Sequence, residues 1–170
     1  LLETLGVAEG DWIVQNAANG AVGKALAMLA RARGIHVLNL VRREEGVEEM
    51  AAQGIGNTVC TMHEGWKSTA RDLMGGARPK AAVDSVGGPA SGVLCSLLGE
   101  NGLLVSFGSM TGESMQIPSG ELIFKQITVK GFWGTPASKA LSPQERRRLM
   151  GELLQRTASG ELQLPVAAIH

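Results

Sequence analysis

The amino-acid sequence predicts an α/β fold, with an open, doubly wound parallel sheet of about six strands between two layers of helices. Two observations support this three-layer arrangement. Six short apolar runs are rich in Val, Ile and Leu without strict alternation, which is typical of strands covered on both faces. Helical segments separate these runs, and strands that alternate with crossover helices form parallel sheets with right-handed connections.

The predicted elements follow one another along the whole chain. The strands are residues 12–16, 36–41, 57–60, 81–85, 103–107 and 127–132, and the helices are residues 21–33, 44–53, 67–74, 89–98 and 142–159. A glycine follows each of the first four helices, and glycine is a common helix stop. Ser142 and Glu145 form a capping box for the last helix. Residues 108–119 and 134–141 are predicted to be loops.

The composition fits one globular domain over residues 1–170, with 44% apolar and 19% charged residues. Sixteen Lys and Arg balance sixteen Asp and Glu, which argues against nucleic-acid binding and against an electrostatic membrane anchor. No run approaches the ~18 apolar residues that a membrane helix needs. The chain opens on Leu1 in a helical pattern, and we expect it to be a piece of a longer polypeptide.

Residues that carry chemistry are sparse. Cys60 and Cys95 have no CxxC partner, so we predict two buried thiols in a reducing compartment, the cytoplasm or the mitochondrial matrix. His36, His63 and His170 are scattered, and no His, Cys and Glu group has metal-ligand spacing, so no metal is predicted. There is no Ser/His/Asp set, and the absence of tyrosine excludes the Tyr-x-x-x-Lys pair of short-chain reductases. We therefore predict no catalytic residue in this chain.

A glycine-containing turn after the first strand predicts dinucleotide binding. Read as G-x-G-x-x-G, it is Ala18-x-Gly20-x-x-Gly23, with alanine in place of the first glycine. A small residue at Ala18 permits the tight turn, Gly20 lets the backbone approach a pyrophosphate, and Gly23 lets the helix pack against the strand. The helix N-terminus offers free N–H groups to the phosphates. The alternative is a purely structural turn, whereas a P-loop is excluded because GxxxxGK[ST] is absent.

The end of the second strand favours NADPH over NADH. Arg42 and Arg43 follow the strand, and no acidic residue precedes them to bind a ribose 2′-hydroxyl. A guanidinium pairs with a 2′-phosphate through charge-assisted hydrogen bonds. The alternative is a solvated pair at a helix start, balanced by Glu44 and Glu45. A methyltransferase is disfavoured, because paired arginines suit a phosphate.

The later strands also end in glycine or small polar residues, and ligands of open α/β sheets bind outside the carboxyl ends of the strands. Asp84 either caps the following helix or lies beside the cofactor. Phe132 and Trp133 either pack in the core or form a wall of the cofactor site. Trp12 and Trp66 are predicted to be packing residues.

Together these motifs resemble the cofactor domain of medium-chain dehydrogenases/reductases. The matching segments are Gly10-Asp11-Trp12-Ile13-Val14-Gln15-Asn16-Ala17-Ala18-Asn19, Val22-Gly23, Asn39-Leu40-Val41-Arg42, Asp84-x-Val86-Gly87-Gly88, Phe107-Gly108-Ser109-Met110 and Gly131-Phe132-Trp133. The combination of Gln-Asn-Ala-x-Asn with Phe-Trp is most similar to the zinc-independent 2-enoyl thioester reductase branch.

The resemblance implies a Rossmann-type NADP-binding domain over residues 1–170 and a GroES-like catalytic domain, absent here, that carries the proton-donor tyrosine. It implies an NADPH-dependent oxidoreductase that reduces the 2,3 double bond of an enoyl thioester, and this chain alone is expected to be inactive. The alternatives are a quinone reductase-like enzyme of the same superfamily and a non-catalytic NADPH-sensing module. The zinc of related alcohol dehydrogenases is not expected.

Matched positions imply three groups of cofactor contacts. The pyrophosphate would lie against Asn19, Gly20, Ala21, Val22 and Gly23, and the 2′-phosphate against Arg42 and Arg43. The nicotinamide side would be formed by Phe107, Gly108, Ser109, Met110, Phe132, Trp133, Gly134 and Thr135. The last strand is apolar, and as an exposed edge it could pair with a second copy in a homodimer.

Overall fold

Six parallel strands form one sheet in the order β3-β2-β1-β4-β5-β6 in the computed structural model, which describes residues 1–163. The strands are β1 (Trp12–Gln15), β2 (His36–Val41), β3 (Thr58–Cys60), β4 (Ala81–Asp84), β5 (Leu103–Ser106) and β6 (Thr128–Gly131). The chain builds outward from β1 to β3 and then returns to the other side of β1 for β4, β5 and β6. The predicted doubly wound parallel sheet is therefore confirmed.

Seven α-helices lie among the described residues, after a short 3₁₀ helix at Leu2–Leu5. They are α1 (Ala21–Ala32), α2 (Glu44–Ala52), α3 (Trp66–Leu73), α4 (Pro89–Leu97), α5 (Ser119–Lys125), α6 (Gly134–Ala140) and α7 (Pro143–Ala158). The predicted capping box of α7 is present, because the Glu145 N–H donates to Ser142 Oγ at 3.2 Å and the Ser142 N–H to Glu145 Oε2 at 3.0 Å. None of the helices in this part of the chain is long and apolar enough to cross a membrane.

One loop prediction is wrong, because α6 occupies residues 134–140 where residues 134–141 were predicted to be a loop. The other predicted loop, residues 108–119, is confirmed up to residue 118, and the helix that begins at Ser119, α5, was not predicted. Each helix has seven residues and contains glycine, which lowers helix propensity and leaves too little length for a periodic pattern. Pro136 is tolerated because it lies in the first turn of α6, where its missing N–H has no partner to lose.

The core lies on both faces of the sheet, which explains why the strands do not alternate in sequence. Val14 belongs to a cluster with Leu94 of α4, whereas the adjacent Ile13 packs with Leu26 of α1. Both strand residues are completely buried. Cys60 and Cys95 are also buried and unbridged, and burial raises the pKa of Cys95 to about 11, which disfavours its thiolate form at neutral pH.

Helix α7 has no buried residue and is held to the end of α1 by ion pairs. Arg33 donates two hydrogen bonds to Glu152, from Nε at 2.9 Å and from Nη2 at 2.6 Å. Arg156 donates to the Ala32 carbonyl oxygen at 3.2 Å. The Arg33 contact lowers the pKa of Glu152 to about 2. This bidentate pair couples the C-terminal part of the described chain to the sheet.

Candidate cofactor site

A crevice opens at the carboxyl ends of β1 and β4, where the winding direction of the sheet reverses. The largest cavity there has a volume of about 710 Å³, which is within the usual range for ligand pockets. Its walls come from both halves of the sheet and are mostly apolar. They are formed by Asn16, Ala17, Asn19, Leu40, Val41, Arg42, Thr61, Met62, Trp66, Val86, Ala90, Val93, Leu94, Met110 and Thr111.

The phosphate turn connects β1 to α1 on one side of this crevice. Its left-handed residue is Ala17, with φ 46°, rather than Ala18, which is completely buried beneath α1. A Cβ on Gly23 would lie 2.4 Å from the Ala18 carbonyl oxygen, so the close packing predicted for Gly23 is present. Gly20 is the exposed N-cap of α1, and no side chain caps this helix end.

Two buried amides fix the turn from below. Gln15 Nε2 donates to the Gly23 carbonyl oxygen at 2.9 Å and to Asn39 Oδ1 at 2.7 Å. Asn39 Nδ2 donates to the Gly56 carbonyl oxygen at 2.9 Å. Both side chains are only 1% exposed, and both amide nitrogens and Asn39 Oδ1 have hydrogen-bond partners. The network ties α1, β1 and β2 together beneath the predicted pyrophosphate position.

Asp84 has a structural role. It is completely buried, and its Oδ1 accepts hydrogen bonds from Asn16 Nδ2 at 2.7 Å and from the N–H of Val86 at 2.9 Å. Its Oδ2 accepts from the Ser91 hydroxyl at 2.5 Å. Asn16 in turn accepts the Ser85 N–H at 2.9 Å. These contacts join the ends of β1 and β4, which form the floor of the crevice.

Arg42 and Arg43 are exposed and line a second cavity of about 540 Å³, together with Asn19, Glu45, Gly46 and Glu49. Glu44, which the sequence suggested as a balancing acid, is paired instead with His63 at 2.7 Å. Glu49 pairs with the ammonium group of Lys24 and accepts a hydrogen bond from Asn19 Nδ2 at 3.2 Å. These two contacts, led by Lys24, lower the pKa of Glu49. The two arginines are therefore the available cations at this edge.

The segment after β5 folds back over the end of β4. The N–H of Met110 donates to the Ser85 carbonyl oxygen at 3.1 Å, and a Cβ on Gly108 would lie 3.0 Å from the same oxygen. Ser109 lies beside Gly87, and Met110 is 75% exposed and lines the large cavity. Phe107 packs against the core instead.

The residues after β6 do not line the crevice. Phe132 is partly buried and packs against the core, whereas Trp133 is 75% exposed. Gly134 and Thr135 form the first turn of α6, and none of these four residues lines either cavity. The side chain of Val22 lines a separate groove between α1 and α7. These five residues therefore line neither of the two cavities that contain Arg42 and Asn19.

Sequence reasoning missed one wall of the crevice. Thr61 and Met62 follow β3, and Trp66, predicted to be a packing residue, both packs on the core and lines the cavity. Val86 and Thr111 also line the cavity and were not among the predicted site residues. The signal was available, because the rule that ligands bind beyond the carboxyl ends of strands applies to β3 as well as to β4 and β5. His170, the remaining scattered histidine, lies outside the described residues.

Comparisons with known proteins agree with this architecture. The profile of the zinc-binding dehydrogenase family matches residues 21–154. The chain is 33% identical over 165 residues to the mitochondrial enoyl-[acyl-carrier-protein] reductase of Caenorhabditis elegans, covering 95% of this chain and 47% of that protein. The chain thus spans about half the length of curated relatives that it matches.

Solved structures share the fold. The Etr1p/Etr2p heterodimer of mitochondrial 2-enoyl thioester reductase from Candida tropicalis superposes with a TM-score of 0.82 at 24% identity, over 95% of this chain and 47% of that chain. Escherichia coli quinone oxidoreductase complexed with NADPH superposes with a TM-score of 0.79 at 22% identity, over 97% and 50%. The chain therefore belongs to the zinc-binding dehydrogenase family, on the enoyl thioester reductase-like branch of the medium-chain dehydrogenases/reductases.

Proposed function

We propose that this chain is the NADPH-binding domain of a reductase that acts on the 2,3 double bond of an enoyl thioester. The observation that carries the proposal is the crevice at the switch point, where the phosphate turn lies beside two exposed arginines. Relatives named as enoyl-[acyl-carrier-protein] reductases support the substrate class.

The local structure fits a dinucleotide. No acidic side chain lies in the first turn of α1 and no side chain caps that helix, so its N-terminal N–H groups and its dipole are available to a pyrophosphate. Gly20 presents backbone without a side chain at the same point. The larger cavity offers apolar walls that include Trp66 and Met62, which suit a planar base. Asn19 of the turn and Arg42 line both cavities, and Arg43 lines the smaller one.

The nucleotide selectivity follows from charge. A 2′-phosphate adds about two negative charges, and Arg42 and Arg43 are exposed cations that line the same cavity. Glu49 is a competing carboxylate in this cavity, but it is paired with Lys24. Glu45 also lines this cavity and moderates the preference.

In the proposed reaction, bound NADPH supplies a hydride to the β-carbon of the alkene. The residues of this chain bind and orient: the α1 N-terminus holds the pyrophosphate, and the end of β4, fixed by Asp84, sets the floor of the crevice. The donor that stabilises the thioester oxygen would come from a GroES-like domain of the whole protein, so the isolated chain should bind without turnover. Efficient reduction of an enoyl substrate by these 170 residues would contradict that division of roles.

The test is calorimetric titration of the chain with NADPH and with NADH. Losing one charged hydrogen bond costs about 1.5–3 kcal/mol, so Arg42→Ala should weaken NADPH binding by about 10- to 100-fold and leave NADH nearly unchanged. Arg78→Ala is the matched control, because Arg78 is also exposed but precedes β4 at the opposite edge of the sheet. Equal losses for both nucleotides would contradict the 2′-phosphate assignment, and binding of neither would favour a purely structural turn.

A quinone reductase-like activity is the second candidate, supported by the likeness to quinone oxidoreductases of the same fold. A non-catalytic NADPH-sensing module is the third. Steady-state assays of the whole protein with a crotonyl thioester and with a quinone separate the first two, and activity with neither favours the third. The mitochondrial relatives and the two buried, unbridged thiols support a reducing compartment, either the mitochondrial matrix or the cytoplasm.

We also propose that β6 pairs with a second copy of the chain. β6 is an edge strand and all four of its residues are exposed. The N–H groups of Thr128 and Phe132 point to β5, so the N–H of Val129 faces outward. Val129→Pro should therefore abolish a homodimer in sedimentation experiments while leaving the β5 pairing intact. A wild-type chain that stays monomeric at all concentrations would refute this pairing.

A further inference from the structure

Three metal-binding side chains from separate elements meet at the carboxyl end of β3. Glu44 begins α2, Cys60 ends β3, and His63 lies in the turn before α3. A carboxylate oxygen, the thiol sulfur and an imidazole nitrogen of these residues all lie within 4.8 Å of one another. Their spacing in sequence matches no metal motif, and the pairing of β2 with β3 is what brings them together.

We infer that Glu44, Cys60 and His63 form a binding site for a borderline divalent cation, for which Zn²⁺ has the best-matched chemistry. Carboxylate, thiolate and imidazole are the three side-chain ligand types that zinc uses in proteins. Mg²⁺ and Ca²⁺ prefer sets of oxygen ligands, which this cluster does not provide. The exposed guanidinium groups of Arg42 and Arg43 adjoin Glu44 in sequence, so the site favours metals that bond to sulfur over ions held by charge alone.

The backbone around the cluster is well fixed. Cys60 pairs with Val41 in the β2–β3 ladder, and the next residue, Thr61, donates its N–H to the Val41 carbonyl oxygen at 2.9 Å. Cys60 Sγ lies 3.4 Å from the Arg42 carbonyl oxygen, to which its S–H donates. The thiol therefore has a set position, 4% exposed, at the inner end of the cluster.

The two outer ligands can adjust to the metal. The Glu44 and His63 side chains are 56% and 65% exposed, and their Oε2 and Nε2 atoms are 2.7 Å apart. Bonds of about 2.0–2.3 Å to a tetrahedral zinc place ligand atoms roughly 3.3–3.8 Å apart, so shifts of about 1 Å complete the geometry. Zinc then replaces the Glu44–His63 contact and the Cys60 S–H proton, which is released to solvent as the S–Zn bond forms. The fourth coordination position of the zinc would face solvent and bind a water molecule.

The test is titration of the metal-free, reduced 170-residue chain with Zn²⁺, Co²⁺ and Mg²⁺. We expect one Zn²⁺ per chain at this cluster, proton release that depends on buffer in calorimetry, and no response to Mg²⁺. Co²⁺ should give visible bands of a tetrahedral complex together with a sulfur-to-cobalt charge-transfer band, which reports the thiolate directly. The absence of that band, or Zn²⁺ binding without thiol deprotonation, would overturn the inference.

Removing any of the three ligands should weaken Zn²⁺ binding by at least about tenfold. Even the loss of a residue that only orients a metal ligand lowers metal affinity by that factor. The variants are Cys60→Ser, His63→Gln and Glu44→Gln. His63→Gln is the decisive one, since this exposed side chain is not part of the core and the variant should fold normally. Unchanged affinity in His63→Gln would refute the site.

Matched controls come from the same residue types elsewhere in the chain. Cys95→Ser, His36→Gln and Glu48→Gln remove a buried thiol, an exposed imidazole and an exposed carboxylate of α2 that lie outside the cluster. Each should keep full Zn²⁺ affinity and the charge-transfer band. Weakening by these variants to the same extent would show that the metal binds adventitiously and would overturn the assignment.

Discussion

Gly23 is the position at which the turn chemistry makes its sharpest prediction. It lies in the first turn of α1, directly above Ala18. A Cβ at this position would lie 2.4 Å from the Ala18 carbonyl oxygen and 2.8 Å from its carbonyl carbon and its Cα. All three are backbone atoms of the turn between β1 and α1, so no side-chain rotation can relieve the overlap. Gly23→Ala must therefore lift α1 away from the sheet.

The expected cost combines three effects. Overpacking of this kind destabilises by about 1–3 kcal/mol. Lifting the helix also loosens the hydrogen bond from Gln15 Nε2 to the Gly23 carbonyl oxygen, which is 2.9 Å long and contributes about 1 kcal/mol. In the opposite direction, the higher helix propensity of alanine stabilises the folded state by about 1 kcal/mol. The net loss is about 2 kcal/mol, which lowers Tm by about 4–8 °C in a chain of this size.

Thermal unfolding of the wild type, Gly23→Ala and Gly151→Ala provides the assay. Gly151 is also helical, but a Cβ there would meet no atom within 4 Å. Gly151→Ala should therefore stabilise the chain by up to about 1 kcal/mol. The same substitution should thus raise the free energy of unfolding at position 151 and lower it at position 23. If Gly23→Ala left Tm unchanged or raised it, the close contact between α1 and β1 would not be the reason for this glycine.

Three further predictions follow from the polar contacts. Because Arg33 lowers the folded-state pKa of Glu152 to about 2, the stabilisation by this pair is complete above the ordinary value of 4.5 and is lost as pH falls toward 2. Glu152→Gln should remove that part of the acid sensitivity in unfolding titrations. Glu49→Gln leaves the nearly buried ammonium of Lys24 without its counter-ion and should lower the free energy of unfolding by about 1 kcal/mol in urea denaturation. Asn39→Ala leaves buried partners unsatisfied and should cost about 1–3 kcal/mol by the same method.

Much of the fold could be predicted because local chemistry and tertiary packing agree. Apolar runs without alternation correspond to strands with both faces buried, as Ile13 and Val14 show. Helix ends could be predicted from sequence wherever a specific capping residue marks them, as Ser142 does at the start of α7. The seven-residue helix α6 could not be predicted, because its first turn is Gly134-Thr135-Pro136 and it has no buried residue to create an apolar period.

The residues of the candidate site also differ in whether local sequence spacing or tertiary packing determines their position. Gly23 and Arg42 could be placed from sequence because each follows a strand at a spacing that the geometry of a β-α-β unit dictates. Thr61 and Trp66 follow β3, to which the same rule applies, but how close they come to the crevice depends on β3 lying beside β2. The cluster of Glu44, Cys60 and His63 depends on the same pairing, so it becomes visible only in three dimensions.

The buried amides bear on whether the chain can bind nucleotide by itself. Gln15 and Asn39 hold the α1 turn to β1 and β2, and Asn16 with Asp84 joins β1 to β4. Every one of these contacts lies within the sheet and its first helix. The turn and the floor of the crevice are thus ordered before any ligand arrives, and little ordering entropy remains to be lost on binding. Under the proposed function, a separate catalytic domain completes the substrate pocket, whereas the affinity for the pyrophosphate belongs to this chain.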